Sequence, residues 1–371
     1  MTWRMPAETA LHERVWMAFP SDGYTLGDTA AEAEEARSTW AAVAHAVLEF
    51  EPVTMVVDPG GSTAGTGARD ARAAAARHLS AGVDVLEAPL DDAWMRDIGP
   101  TFVLDDNGRL GAVDWIFNGW GGQDWASWGR DADIAGIVTR AAGATPVSSL
   151  LVNEGGGIQV DGEGTVIVTQ TVQLDPGRNP HADRARVEAE LARTLGATHV
   201  IWLPRGLTRD QARFGTRGHV DIVAAIPMPG TLLVHAQNDQ AHPDYTVTRE
   251  LRAVLAASTD AAGRPWTIID LPAPARISDD EGFVDYSYVN HLVVNGGVIA
   301  CGFGEPRADA AARSILEDAY PGRKVVTVDA RPLFARGGGI HCITQQQPAA
   351  AKPAAMSGGE AVGAARVCVG V

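Results

Sequence analysis

Short runs of Val, Ile and Leu alternate along the chain with Ala-rich stretches whose apolar positions recur every three or four residues. The first pattern predicts strands and the second helices. Strand-like runs fall at Val53–Val57, Val83–Leu86, Thr165–Thr169, Leu232–His235 and Val298–Ala300. Helix-like stretches fall at Thr29–Phe50, Gly67–Leu79, Ala132–Ala142, Ala182–Leu195, Thr246–Ala257 and Asp309–Ala319. Steady alternation of this kind predicts an α/β protein. No Ser/Gly linker or charge run interrupts it, so residues 1–346 read as a single domain. Residues 347–371 are Ala/Gly-rich without periodicity and read as a C-terminal tail.

A larger unit repeats within the alternation. A polar-headed strand, a tight turn, a second strand and a helix begin at Trp94–Leu104, Asn153–Val160, His219–Ile226 and Tyr288–Val294. Their turns, Asp105–Gly108, Asp161–Gly164, Pro227–Gly230 and Asn295–Gly297, contain the glycines that tight hairpins require. The polar heads are Asp97, Glu154, His219 and Asn290, spaced 57, 65 and 71 positions apart. A fifth head, Gly337–Gln346, has no helix after it, while the N-terminal strand Val15–Phe19 and its helix lack a head. Five ββαβ-like units around a pseudo-fivefold axis account for this order, with the C-terminal strand closing the unit begun by the N-terminus. The expected architecture is a five-bladed α/β-propeller.

Composition narrows the function classes. Of 371 residues 46% are apolar and 20% charged, enough to build a large core. The net charge of −16, without a basic cluster, argues against nucleic acid and anionic membrane as partners and suits a small cationic ligand. No apolar run approaches the roughly 18 residues of a spanning helix. Met1–Pro20 lacks a basic head followed by an apolar run, so no signal peptide is expected. Three cysteines, Cys301, Cys342 and Cys368, are too few for a disulfide framework and fit the reducing cytoplasm. Assembly into a homo-oligomer is left open.

Candidate chemistry sits where polar residues head otherwise apolar strands. Asp97, Glu154, His219, Asp221 and Cys342 all lie beside glycines, which let a backbone approach a ligand closely. If the heads converge on the axis, one cavity receives a thiol, an imidazole and three carboxylates. That set suits thiolate attack on a planar cationic carbon, with His moving protons and carboxylates accepting the cation's N–H groups. Trp94 and Trp120 are candidates for an aromatic face against the cation, a contact of about 0.5–2 kcal/mol. Strand alternation would put His219 and Asp221 on one face, set Arg96 opposite Asp97, and turn His341 away from Cys342 as a structural residue. Cys301 in Val298–Cys301 reads as packing, and Asp105 as an exposed turn acid. Asp58–Gly67 imitates a nucleotide loop, but Thr66 stands where a Lys is required. No Cys/His pair has metal-ligand spacing.

Several longer motifs occur in order: Met5-Pro-Ala-Glu8, Trp94-Met-Arg-Asp97-Ile-Gly-Pro100, Phe117-Asn-Gly-Trp-Gly121, Glu154-Gly-Gly156, Asp161-Gly-Glu-Gly-Thr165, Arg178-Asn-Pro180, Gly218-His-Val-Asp221 and Gly339-Ile-His-Cys-Ile-Thr-Gln-Gln346. From about Met5 to Pro348 they resemble the agmatine deiminase family, the bacterial peptidylarginine deiminase type among guanidino-group-modifying enzymes. The resemblance implies the five-bladed fold and cofactor-independent, metal-free hydrolysis of agmatine to N-carbamoylputrescine and ammonia, a polyamine-forming step. It implies Cys342 as nucleophile, His219 as general acid/base, Asp97 and Asp221 as guanidinium ligands, and Glu154 supporting His219. Trp94, Trp120 and Gly339 complete the expected substrate site. Ile222, Gln159, Gly339 and His291 depart from the residues usual in the family. They leave the reactive set intact and open the substrate's far end to arginine, a peptidyl arginine or another guanidine. An amidinotransferase with the same covalent intermediate is the remaining enzymatic alternative.

Overall fold

Thr29 caps the first long helix: its side chain accepts from Glu32 N while the Glu32 carboxylate accepts from Thr29 N. The helix, Ala30–Leu48, buries Ala36, Trp40, Val43 and Val47 at helical spacing. It packs them over a strand whose five residues, Val53–Val57, are all buried. A strand covered on both faces reads as an unbroken apolar run. Removing Trp40, which is fully buried, would cost about 3–5 kcal/mol.

The computed structural model describes residues 2–60 and 68–351. Residues 61–67 of the nucleotide-loop look-alike, and Cys368, lie outside the described residues. In chain order the strands are β1 (Trp3–Arg4), β2 (His12–Ala18), β3 (Val53–Val57), β4 (Asp84–Glu87), β5 (Thr101–Asp105), β6 (Leu110–Ile116), β7 (Thr145–Val152), β8 (Gln159–Val160), β9 (Thr165–Thr169) and β10 (His199–Leu203). They continue with β11 (Ala224–Met228), β12 (Thr231–Ala236), β13 (Thr267–Pro272), β14 (Ser278–Asp279), β15 (Gly282–Phe283), β16 (Leu292–Val294), β17 (Gly297–Gly302), β18 (Lys324–Asp329) and β19 (Thr344–Pro348).

One arrangement recurs in five of the sheets among these residues. An antiparallel pair is followed by a crossover helix and a strand parallel to the second member. The sets are β5-β6-β7, β8-β9-β10, β11-β12-β13, β16-β17-β18 and β19-β2-β3. The crossover helices are Ile134–Ala141, Arg184–Leu195, Asp244–Ala256, Pro306–Ala319 and Ala30–Leu48. The fold is mixed α/β, as the alternation predicts. In the last set the two ends of the chain meet, with Thr344 opposite Met17 and Gln347 opposite Arg14. Because β19 runs through Pro348, the boundary read at residue 346 falls two residues short. Gln347 is no tail residue: its side chain accepts from Trp16 Nε1 at 2.9 Å. No helix of the described residues is long and apolar enough to cross a membrane.

Asp105 also differs from its expected place. It ends β5, is buried, and accepts from Asn107 N, Arg109 N and Arg109 Nε at 2.7–2.8 Å. An Asp at the head of a tight turn satisfies the turn's own N–H groups. It is therefore an anchor of the hairpin and not a free surface acid.

Candidate active site

Each recurring set begins just after one of the polar heads. Asp97 belongs to the four-residue helix Met95–Ile98 before β5. Glu154 precedes the 3-10 turn Gly155–Gly157 before β8. His219 caps the 3-10 turn Val220–Ile222, which carries Asp221 ahead of β11. Asn290 precedes β16, and Cys342 lies in the turn before β19. All six are buried. None sits within a strand, so strand alternation does not govern Arg96/Asp97, His219/Asp221 or His341/Cys342: a side chain in a turn or short helix obeys no twofold rule.

These turns converge. Cys342 Sγ lies 3.5 Å from Asp221 Oδ2 and 3.3 Å from Asn290 Nδ2. His219 Nε2 is 3.3 Å from Glu154 Oε2, and its Nδ1 is 3.9 Å from Asp97 Oδ2. Trp120 Nε1 donates to Asp97 Oδ2 at 2.9 Å, and Gly156 N donates to Asp97 Oδ1 at 3.1 Å. A Cβ on Gly156 would stand 2.4 Å from His219 Nδ1, so only glycine lets the imidazole and Asp97 share this corner. Gly339 serves Asn290 in the same way, since a Cβ there would lie 2.4 Å from Asn290 Oδ1. Trp94 packs edge-on against Trp40, and a Cβ on Gly338 would stand 2.6 Å from its ring and 3.1 Å from Cys342 Sγ. Trp120, expected as an aromatic face, is a hydrogen-bond partner of Asp97.

His341 does not point away from Cys342, as strand alternation would have it. Nδ1 is 2.8 Å from Asp221 Oδ2 and Nε2 is 2.8 Å from Glu8 Oε1. Residues 340–343 form a turn, so His341 and Cys342 both reach Asp221. Arg96 also belongs here, with Nε donating to the His341 carbonyl at 3.2 Å. Arg178 was not assigned a role from the sequence, yet its Nε binds both oxygens of Glu154 at 2.9 and 3.1 Å. Asp210, equally unassigned, accepts from His219 N at 2.8 Å. The sequence signal for Glu8 and Arg178 was their membership of the Met5–Glu8 and Arg178–Pro180 motifs; Asp210 carried none. Cys301 is buried in β17 with its thiol donating to the Asn290 carbonyl at 3.0 Å, and burial pushes it up to about 12.

Of the departures, Ile222 and His291 directly follow Asp221 and Asn290 in the chain. Ile222 is core, and its carbonyl accepts from Ser287 Oγ at 2.8 Å. Gln159 begins β8. His291 is tied to the Tyr288 carbonyl and, at 2.8 Å, to Tyr320 Oη.

Electrostatics divide the labour. Burial alone would lower His219, but Asp97 and Glu154 raise it to about 9, so it is an imidazolium at neutrality. Burial raises Asp97 to about 6 against the pull of His219. Glu154, despite burial, is held below the usual carboxylate range by Arg178 and His219. Asp221, despite burial, is lowered by His341. Burial and the charges of Asp221 and Asp97 push Cys342 well above an ordinary thiol. A cation entering between those carboxylates would relieve that pressure. Among the described residues' buried polar atoms without a protein partner, three belong to this site: Asp221 Oδ1, His219 Nδ1 and Arg96 Nη2.

The family model described as Porphyromonas-type peptidyl-arginine deiminase matches residues 4–348. The chain belongs to that family. Members similar to it include a Streptomyces coelicolor protein, 55% identical over 94% of this chain and 99% of its own, provisionally assigned as an agmatine deiminase. The agmatine deiminase of Pseudomonas fluorescens is 39% identical over 94% of this chain and 96% of its own. Among solved structures, agmatine deiminase of Enterococcus faecalis superposes with a TM-score of 0.84 at 31% identity, covering 94% and 96% of the two chains. Members of the family thus share this chain's fold over nearly its whole length.

Proposed function

We propose that the protein is a cytoplasmic hydrolase of C–N bonds in linear amidines that converts agmatine to N-carbamoylputrescine and ammonia. In this reading the five recurring sheets are blades around a pseudo-fivefold axis, and the chain up to Pro348 is one catalytic domain. The single observation that carries the reading is the buried, partnerless Asp221 Oδ1 beside a thiol that Asp221 Oδ2 and Asn290 already touch. A buried carboxylate oxygen without a donor costs free energy, and a guanidinium N–H would satisfy it.

The steps follow from the protonation states. The guanidinium binds to Asp97 and Asp221, and its charge favours loss of the Cys342 proton to solvent. The thiolate adds to the guanidinium carbon. His219, already protonated, gives its proton to one amino group, which leaves as ammonia and breaks the C–N bond. A cationic S-alkylthiouronium on Cys342 remains. Neutral His219 then takes a proton from water as that water attacks the same carbon. Collapse expels the thiolate, the proton left on the added oxygen passes to solvent where ammonia takes it up as ammonium, and the neutral ureido product is released. Glu154, clamped by Arg178, keeps His219 oriented and charged.

The agmatine deiminase names of relatives at 39% identity and above support the substrate. The test is a product assay across agmatine, arginine, methylated arginines and other guanidines. Agmatine should release ammonia and a ureido product without an amine acceptor, and quenched enzyme should carry an adduct on Cys342, absent from Cys301. Turnover only in the presence of an acceptor would make it a transferase, and comparable activity in Cys342→Ser would remove the covalent route.

A further inference from the structure

A cleft borders the site, lined among others by Tyr24, Arg209, Asp210, Phe214, Glu281 and Asp285. It meets the reactive centre along two walls. Gly337 lines it, and at the next residue, Gly338, a Cβ would stand 2.6 Å from the Trp94 ring and 3.1 Å from Cys342 Sγ. Asp210 lines it and holds the backbone N–H of His219. A continuous aromatic surface leads inward from it. Tyr24 stacks on Phe214 with centroids 4.5 Å apart, and both lean on Trp125. Trp125 in turn stacks on Trp120, the partner of Asp97. Phe214 and Trp120 hold positive φ values of 69° and 54°, strain that a non-glycine residue carries only when its surroundings impose it. An apolar wall between the guanidinium carboxylate and an outer cleft suits a methylene chain.

The charges around the outer end are unequally committed. Arg209 is taken up by both oxygens of Asp279 at 2.9 Å and by Glu281 at 3.0 Å. Asp210 accepts from Thr216 N, Thr216 Oγ1 and His219 N. Arg213 lies largely in solvent, 3.8 Å from Asp124. The Asp285 carboxylate accepts from its own backbone N–H and has no other hydrogen-bond donor among the described residues. It faces Asp210, Asp244 and Arg209, and burial with the Asp210 charge raises it to about 7. The cleft thus offers one carboxylate without a hydrogen-bonded side-chain partner among the described residues, at the outer end of an aromatic wall.

We infer that Asp285 is a specificity-determining residue that binds a second positive charge, the terminal ammonium at the far end of the guanidine substrate. The inference rests on the proposed guanidine hydrolysis and deepens it: the preferred substrate is cationic at both ends, with a methylene spacer along the Trp120–Phe214 wall. An α-carboxylate at that end, as in free arginine, would meet Asp285 as a like charge.

The experiment compares agmatine, butylguanidine (the same chain without the amine) and arginine on wild type, Asp285→Asn, Asp285→Glu and Arg213→Gln. Losing one charge-assisted contact should cut the agmatine-over-butylguanidine preference in kcat/KM by at least about 20-fold in Asp285→Asn, chiefly through KM. Asp285→Glu should restore part of it. In the wild type the ratio of agmatine KM to butylguanidine KM should fall as pH rises through about 7, because the ionised acid is the binding form, and Asp285→Asn should abolish that slope. The ratio cancels groups shared by both substrates. An equal loss on both substrates, or none on agmatine, overturns the assignment. So does arginine as the best substrate with Arg213→Gln as the damaging change. Wild-type enzyme inert toward both agmatine and butylguanidine would instead sink the guanidine reading itself.

Discussion

His219 and His341 are both buried imidazoles held between two carboxylates, and both are raised above the ordinary imidazole range. They differ in what is left over. His341 has both ring nitrogens within 2.8 Å of a carboxylate, Asp221 on one side and Glu8 on the other. His219 engages Glu154 through Nε2, while Nδ1 has no hydrogen-bond partner and stands 3.9 Å from Asp97. A saturated imidazolium can only lend charge and orientation. One with a free nitrogen can hand a proton to something that arrives. The same residue type in nearly the same electrostatic setting is a fixture in one place and a reagent in the other, and the deciding variable is a single uncommitted atom.

The comparison can be broken most sharply by replacing both. His219→Asn should lower kcat by at least about a thousandfold, within the range of general acid–base catalysis. His341→Asn should cost on the order of tenfold, the worth of one charge-assisted hydrogen bond. Steady-state kinetics on folded variants decide it, and equal losses would mean the two histidines do not divide labour as the geometry implies.

Between these extremes stand the carboxylates that would grip the guanidinium. Asp97→Asn and Asp221→Asn should each reduce kcat/KM by at least about a hundredfold, roughly 2.7 kcal/mol. Their double mutant should fall short of the product of the singles, because both act on one group. Asp318→Asn, at an exposed acid on the helix Pro306–Ala319, should change it by less than about twofold. Asp97→Asn resembling Asp318→Asn would make Asp97 a structural acid.

The smallest effect is on stability. A histidine whose folded pKa is about 9 stabilises the fold fully below its unfolded value near 6.5, and that contribution is lost as pH rises through 9. Calorimetric Tm should therefore fall more between pH 6.5 and 9.5 in the wild type than in His219→Asn. Parallel curves would place His219 outside the field of Asp97 and Glu154.

Much of the scaffold was legible because local rules govern it. Val53–Val57 and Thr165–Thr169 come out at their expected bounds, and the Asp161–Gly164 turn joins β8 to β9. The site's membership was legible too, since polar heads before apolar strands have no packing reason to exist. Its geometry was not. Twofold alternation does not hold at residues 94–97, 219–221 and 340–343, which fold as short helices and turns. Thus alternation predicts His341 pointing away from Cys342, whereas both contact Asp221. Glu8 meets His341 across 333 positions and Arg178 meets Glu154 across 24, separations that no periodicity encodes. Asp105 was misplaced for a related reason, because its three backbone and side-chain donors come from the turn itself.

The pairing of β19 with β2 has a consequence in time. Trp16 and Gln347 are 331 positions apart, and Cys342 lies two residues before the strand that brings them together. During synthesis β2 precedes β19, so that edge stays open until β19 has been made. Of the heads that form the site, Cys342 is made after Asp97, Glu154, His219, Asp221 and Asn290. The sulfur is therefore the last reagent the site receives.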